Sequence, residues 1–306
     1  MSHSPPTRQL GKTGPCVPAI GLGLMGFSMH YGPPPDDTSR FAFLDRALEL
    51  GATFWDTADM YGDSETLLGQ YFAQTGNRDK IFLATKFGFE KGSINEINSS
   101  AAYLKQACES SLRLLQTDHI DLYYMHRANP STPIEETMRG MLELQKEGKI
   151  KYIGLSEVSA NTLRRACKVG RVDAVQIEYG PSELAIEKNH LLATCSELGV
   201  AVVAYSPLGR GLLAGAKDFS AEGDWRGMFP RFTGDLCIAW CLSQERVIPI
   251  PGTKKVRYLE ENVAAAEVRL SEEEEREVRS IVAGIEGLRV PEGFEYQCFV
   301  NTVEEQ

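Results

Sequence analysis

The sequence predicts a (β/α)8 TIM barrel, and three observations carry the prediction. Apolar or β-branched runs of strand length recur eight times along the 306 residues. Helical patterns that stop at glycine separate many of them, the rhythm of repeated strand–helix units. The chain is long enough for a barrel of roughly 250 residues with an extension at each end. Eight units favour a closed barrel over an open, doubly wound sheet. The run Gly21-Leu-Gly-Leu-Met-Gly26 is read as having the wrong spacing for the phosphate turn of such a sheet. One domain is expected, spanning 1–306 with its core at about 8–283.

The eight runs are Ala19–Leu24, Thr53–Thr57, Ile81–Thr85, Ile120–Met125, Tyr152–Leu155, Ala174–Glu178, Val200–Tyr205 and Val247–Ile250. Their near-continuous apolar character suits parallel strands covered on both faces. Thr38–Leu50 follows Asp36 and Asp37, sets Phe41, Leu44 and Leu48 on one face and stops at Gly51. Ala101–Leu115 carries Leu104, Cys108, Leu112 and Leu115 at helical spacing. Ile134–Glu147, Ala160–Val169 and Ile186–Leu198 each end at a glycine.

Two pieces lie outside the repeat. Arg8–Pro18, with the turn Lys12-Thr-Gly-Pro15, predicts a hairpin closing the bottom of the barrel. Ser271–Ala283 opens with the capping-box spacing of Ser271 and Glu274 and predicts a C-terminal helix. One interval breaks the rhythm. Leu208–Gly234 holds six glycines and no convincing period, and only one helix, about Asp235–Gln244, fits before the last strand. So long a structureless stretch is unusual in a compact domain. The expectation is that part of the helix between strands seven and eight is lacking, so apolar side chains of both strands would meet water unless Leu208–Gly234 folds over them or a second subunit covers them.

A net charge of −10 and a pI near 5.2 argue against a phosphate-backbone binder, and weakly against an anionic membrane surface. Seven cysteines without a C-x-x-C pair read as reduced thiols, with Cys237 and Cys241 as core. No apolar run reaches the roughly 18 residues of a spanning helix, and the first residues hold no secretion signal. A soluble cytoplasmic protein is expected. Its partner would be a small molecule, not nucleic acid or a membrane.

In barrels of this kind the site lies at the C-terminal ends of the strands. Asp56 and Tyr61 follow strand two, Lys86 ends strand three and His126 ends strand four. A lone Tyr usually packs and a lone Asp–Lys pair is usually structural, but four such residues at successive strand ends make a proton-donor set. An ammonium favours the phenolate, so Lys86 is expected to lower the pKa of Tyr61. Asp56 would hold Lys86, and His126 would orient or polarise a carbonyl oxygen. Thr253, Lys254, Lys255 and Arg257 lie between the last strand and a helix start. Three cations and a hydroxyl there suit a phosphate, and a solvated basic turn is the plainer reading.

Several stretches resemble the aldo-keto reductase superfamily, most of all its branch of pyridoxal reductases and auxin-induced-protein-like reductases. They are Gly21–Gly26, Phe54-Trp-Asp-Thr-Ala-Asp-Met-Tyr-Gly62, Leu83–Gly88, Ile120–His126, Ile153–Glu157, Ala204–Leu213, Ile248–Lys254 and Leu259–Asn262, in family order. The resemblance implies NADPH-dependent reduction of an aldehyde or ketone, with Tyr61 as proton donor beside Lys86, Asp56 and His126. It implies that Ser156 and Gln176 hold the nicotinamide carboxamide and that Tyr205 stacks on the ring. Gly23, Leu24 and Met25 would line the ribose, and Ser206, Pro207 and Leu208 would meet the pyrophosphate. The basic turn would take the 2′-phosphate, and Glu261 and Asn262 the adenine. Glu157 stands where many relatives have Asn, and its contact is left open. His30, Tyr31, Trp55, Trp225 and Phe229 are candidates for the substrate pocket. A nucleotide-sensing subunit and an inactive shortened isoform are the alternatives.

Overall fold

A computed structural model describes residues 5–29, 31–90, 93–209, 234–283, 293 and 295–305. Strands β1 (Thr7–Gln9) and β2 (Cys16–Pro18) form the expected antiparallel hairpin. Its Leu10 and Val17 sit in one cluster with Phe54, Ala84, Leu122, Ala174, Val203 and Ile248, so the hairpin plugs the floor of the barrel.

The eight expected runs all become parallel strands, adjacent in chain order. They are β3 (Leu22–Gly23), β4 (Phe54–Asp56), β5 (Phe82–Phe87), β6 (Ile120–Met125), β7 (Ile150–Ser156), β8 (Ala174–Glu178), β9 (Ala201–Tyr205) and β10 (Val247–Pro249). The last strand returns to the first. Gly21 N–H donates to Pro249 O at 2.9 Å and Gly23 N–H to Pro251 O at 3.2 Å. A Cβ on Gly23 would lie 2.8 Å from Ile250 O, so the seam closes only over glycine. Gly21-Leu-Gly-Leu-Met-Gly26 does have the G-x-G-x-x-G spacing, but β3 lies inside the run, not ahead of it. Its first two glycines serve barrel closure, which is why it is no phosphate turn of the open-sheet type.

Side chains alternate with period two. Phe54, Ala84, Leu122, Tyr124, Ala174 and Val203 fill the interior. Trp55, Leu83, Tyr123, Met125, Val175 and Val202 form the outer shell under the helices. Tyr124 needs the space at Gly154 on the next strand, where a Cβ would overlap its ring at 2.2 Å.

The outer elements are α1 (Met25–Ser28), α2 (Asp37–Glu49), α3 (Ser64–Thr75), α4 (Ala101–Leu115), α5 (Ile134–Lys146), α6 (Ala160–Val169), α7 (Ala185–Lys188), α8 (Leu191–Leu198), α9 (Gly234–Ser243), α10 (Val256–Ala264) and α11 (Glu272–Val282). Asp36 caps α2, and Ser271 with Glu274 forms the expected capping box on α11. The helix expected over Ile186–Leu198 is two helices. His190 takes a left-handed φ of 67°, and the Asn189 side chain accepts the Leu191 N–H, a local bond that competes with helix continuation.

The expected shortfall between strands seven and eight falls in 210–233, outside the described residues. The late strands are covered all the same. Val202 and Val247 are buried, Trp240 and Cys241 of α9 belong to the same apolar cluster, and α9 packs on β10. The C-terminal core also extends past 283: Val300 and Thr302 are buried against the loops after β6 and β7. Among the described residues no helix is long and apolar enough to cross a membrane.

Candidate active site

The parity that builds the barrel also builds the site. Asp56, Lys86 and Gln176 continue the inward-facing positions of β4, β5 and β8, and meet at the top of the interior. Lys86 Nζ donates to Asp56 Oδ1 at 2.5 Å and to Thr57 O at 2.6 Å, and lies 3.5 Å from the Tyr61 hydroxyl. Gln176 Nε2 donates to Asp56 Oδ2 at 2.7 Å. Tyr61 stands in the turn after β4, with its ring edge-on to His126 at 5.7 Å. Phe89 faces the same imidazole at 5.2 Å, a neighbour the sequence reading missed. Its only sequence signal is its place just past the end of β5.

All four expected catalytic residues are therefore gathered, and all are buried. Burial opposes the charge on Lys86, but Asp56 and Tyr61 outweigh it and hold the ammonium above its ordinary pKa. Burial lifts the Asp56 carboxyl against Lys86 and its hydrogen bonds. Lys86 acts on Tyr61 in the expected direction, but a larger effect opposes it. Burial raises its phenol above 10.0, and the neighbouring Lys86 only moderates the rise. Burial, with Arg127 and Lys86, pushes His126 well below 6.5. The site holds a protonated phenol and a neutral imidazole at neutral pH. His126 Nδ1 is buried and has no hydrogen-bond partner among the described residues.

The remaining expected residues ring this centre. Ser156 ends β7 and is buried, with Arg127 Nη1 at 3.5 Å from its hydroxyl. Gln176 spends its amide N–H on Asp56, which leaves its oxygen for a ligand. Tyr205 ends β9 half-exposed, and its hydroxyl donates to Glu157 Oε1 at 2.9 Å. Gly23, Leu24 and Met25 lie where β3 passes into α1, and Ser206, Pro207 and Leu208 follow β9 directly.

Thr253, Lys254 and Lys255 precede α10, whose N-terminus has no side-chain cap, and Arg257 and Glu261 lie on it. Lys254 Nζ donates to Tyr31 O at 2.5 Å, Thr253 Oγ1 accepts the Lys255 N–H, and Arg257 pairs with Glu261 at 2.7 Å. Asn262 is buried on the inner side of α10. These exposed contacts are worth little and exchange readily for a phosphate. An uncapped helix start with three cations, a half-exposed aromatic and two buried amide-binding groups fit a phosphorylated dinucleotide by the chemistry of their donors.

Not every pocket candidate is brought in. Trp55 is fully buried on the outer side of β4 against Tyr71 and Phe72, and its indole donates to Ala52 O. Its neighbour Asp56 points inward, so the strand's alternation sends Trp55 out. Tyr31 is 49% exposed. His30, Trp225 and Phe229 lie outside the described residues.

Comparison with known proteins agrees with this geometry. The sequence pattern of the aldo/keto reductase family matches residues 19–226 and 232–283. The chain is 42% identical to "Aldo-keto reductase yakc [NADP(+)]" of Schizosaccharomyces pombe, over 97% of this chain and 98% of that one. It is 45% identical to "Aldo-keto reductase str7" of Strobilurus tenacellus, over 90% and 91%. Among solved structures, aldo-keto reductase AKR11C1 from Bacillus halodurans in its holo form superposes with a TM-score of 0.80. It is 31% identical, covering 91% of this chain and 96% of that one. The thermostable aldo-keto reductase Tm1743, in complex with the inhibitor epalrestat, gives 0.76 at 31% identity, covering 90% and 99%. The first alignment runs over 336 residues on a chain of 306, so at least 30 positions of that relative stand opposite nothing here. The break in the family match, between 226 and 232, falls in the interval that interrupts the βα rhythm.

Proposed function

The chain belongs to the aldo/keto reductase family, and from that premise we propose that it reduces an aldehyde or ketone to the alcohol with NADPH, with Tyr61 as the proton donor. One observation carries the reading of the site: Lys86 Nζ bridges Asp56 at 2.5 Å and the Tyr61 hydroxyl at 3.5 Å, in a buried pocket at the strand ends. NADPH supplies the hydride. The residues do the rest. His126, neutral, donates a hydrogen bond to the carbonyl oxygen and orients it beside Tyr61. Tyr61 gives its proton to that oxygen as negative charge develops on it. A phenol above its ordinary pKa is still far more acidic than an alcohol, so the transfer runs downhill. Lys86 stabilises the phenolate left behind, and Asp56 keeps Lys86 charged and in place. The low-dielectric pocket strengthens each of these contacts.

Ser156 and the free oxygen of Gln176 orient the carboxamide, Tyr205 walls the ring, and Gly23–Met25 and Ser206–Leu208 flank the ribose and pyrophosphate. Thr253, Lys254, Lys255 and Arg257 read the 2′-phosphate, while Glu261 and Asn262 take the adenine. The whole chain acts as one domain in the cytoplasm, on a small carbonyl compound. A nucleotide-sensing role without turnover is not favoured. The test is NADPH oxidation, followed by absorbance, against a panel of aldehydes, ketones and pyridoxal. Turnover that disappears in Tyr61→Phe supports the reading. Tight NADPH binding with no turnover of any carbonyl overturns it.

A further inference from the structure

We infer that Glu157 is a positioning residue for Tyr205, and that the C-terminal segment 295–305 holds Glu157 in place. The inference rests on Tyr205 being the wall of the nicotinamide site.

Glu157 is fully buried and takes a left-handed backbone, with φ 56°. A non-glycine residue stays in that region only where its surroundings fix it from several sides. Contacts on several sides do so among the described residues. Its N–H donates to Gln176 O at 3.2 Å, tying it to β8. Its carbonyl accepts the Val300 N–H at 2.8 Å, and two residues on the Ser159 N–H donates to Val300 O at 3.1 Å. Val158 and Val300 thus pair as a parallel bridge. Its side chain accepts the Tyr205 hydroxyl at 2.9 Å. The carboxylate is therefore aimed across the mouth of the barrel, from β7 to β9, at the one polar atom of the aromatic ring.

The segment that grips Glu157 is itself well anchored. Thr162 Oγ1 donates to Val300 O at 2.8 Å, Arg165 reaches Thr302 O at 2.7 Å and Val303 O at 2.6 Å, and Val303 N–H donates to Pro130 O at 2.9 Å. Gln297 Nε2 donates to Ile94 O at 3.1 Å. The segment so spans the loops after β5, β6 and β7. It lies beyond residue 283, where the match to the family pattern ends. Its contacts reach the start of α5 and the body of α6 as well as the turn that carries Glu157.

A tyrosine ring tethered at its hydroxyl has one orientation to offer a flat ligand. An untethered one must be ordered on binding, which weakens affinity. The experiment compares wild type, Glu157→Ala, Glu157→Gln and a chain truncated after Gly293. Dissociation constants are measured for NADPH and for 2′,5′-ADP, which lacks the nicotinamide half. Hydrogen exchange of the peptide containing 156–159 is followed without ligand. Glu157→Ala and the truncation should weaken NADPH about tenfold, with the constant for 2′,5′-ADP unmoved. Glu157→Gln, which keeps an acceptor oxygen, should recover most of the loss. The truncated chain should lose exchange protection at 156–159. Unchanged NADPH affinity, equal loss of both ligands, no recovery by Gln, or unchanged protection would each overturn the inference. Should the wild type bind neither ligand, the reductase reading fails and the Tyr205 half falls with it. The exchange result then still decides whether the tail holds Glu157.

Discussion

At Tyr61, burial and Lys86 pull the phenol in opposite directions, and burial wins. A protonated phenol suits reduction, while alcohol oxidation needs the phenolate. The reductive rate should stay level from about pH 6 to 8, and the oxidative rate should climb into the alkaline range, as rate profiles in both directions would show. Tyr61→Phe removes one hydroxyl and should lower kcat by about 10²–10⁴-fold while NADPH still binds; a near wild-type rate on a simple aldehyde would remove Tyr61 from the mechanism. His126 makes a second pH statement. Its folded pKa is depressed well below 6.5, chiefly by burial, so the unfolded chain binds the extra proton first. Its contribution to stability is complete above 6.5 and is lost as the pH falls below that value. Urea melts at about pH 5 and 7 should differ more in the wild type than in His126→Gln. At the cofactor's far end, Lys254→Ala should weaken NADPH and leave NADH nearly unchanged in binding titrations; equal losses would show that the basic turn does not read the 2′-phosphate.

The elements show where local sequence rules suffice and where packing decides. Ala101–Leu115 and Ala160–Val169 form to the residue as expected, because a Ser cap, helical spacing of apolar residues and a break after the last turn all agree. Ile186–Leu198 has the same apolar spacing, but the Asn189 side chain offers the backbone another bond and the helix splits. Trp55 sits in one of the stretches that resemble the family, yet strand parity turns it to the outer shell. The difference between inward and outward is a single residue in a strand, and register fixes it. Helix α9 packs on strand β10, and its Trp240 is fully buried, tilted against Tyr179 with ring centroids 5.4 Å apart, and lies under the Arg279 guanidinium at 4.8 Å. Trp240→Ala should therefore cost about 3–5 kcal/mol in denaturant unfolding. A loss under about 1 kcal/mol would mean that β10 does not depend on the packing of α9.

For the whole molecule, closure is the decisive event, since the site exists only where all the strand ends converge. Because Val202 and Val247 are already buried, grafting a relative's longer segment between residues 226 and 232 should move the melting temperature by less than about 4 °C. A larger rise in calorimetry would reveal apolar surface still open to water. The sequence by itself determined the eight strands, their order, the plugging hairpin, the capped last helix and the residues at the strand ends, Asp56, Tyr61, Lys86, His126, Ser156, Gln176 and Tyr205. These were legible because hydrophobic period, glycine stops and caps are local, and because a parallel barrel sends every strand end to the same face. Tertiary structure alone decided the rest. It set the sign of the Tyr61 shift, since desolvation depends on what surrounds the phenol and not on which residue adjoins it in sequence. It brought Phe89 to His126 and Glu157 to Tyr205, and it returned Val300 to the turn after β7 from 143 positions away. Contacts of that kind follow from the closing of the chain on itself, and no window of neighbouring residues contains them.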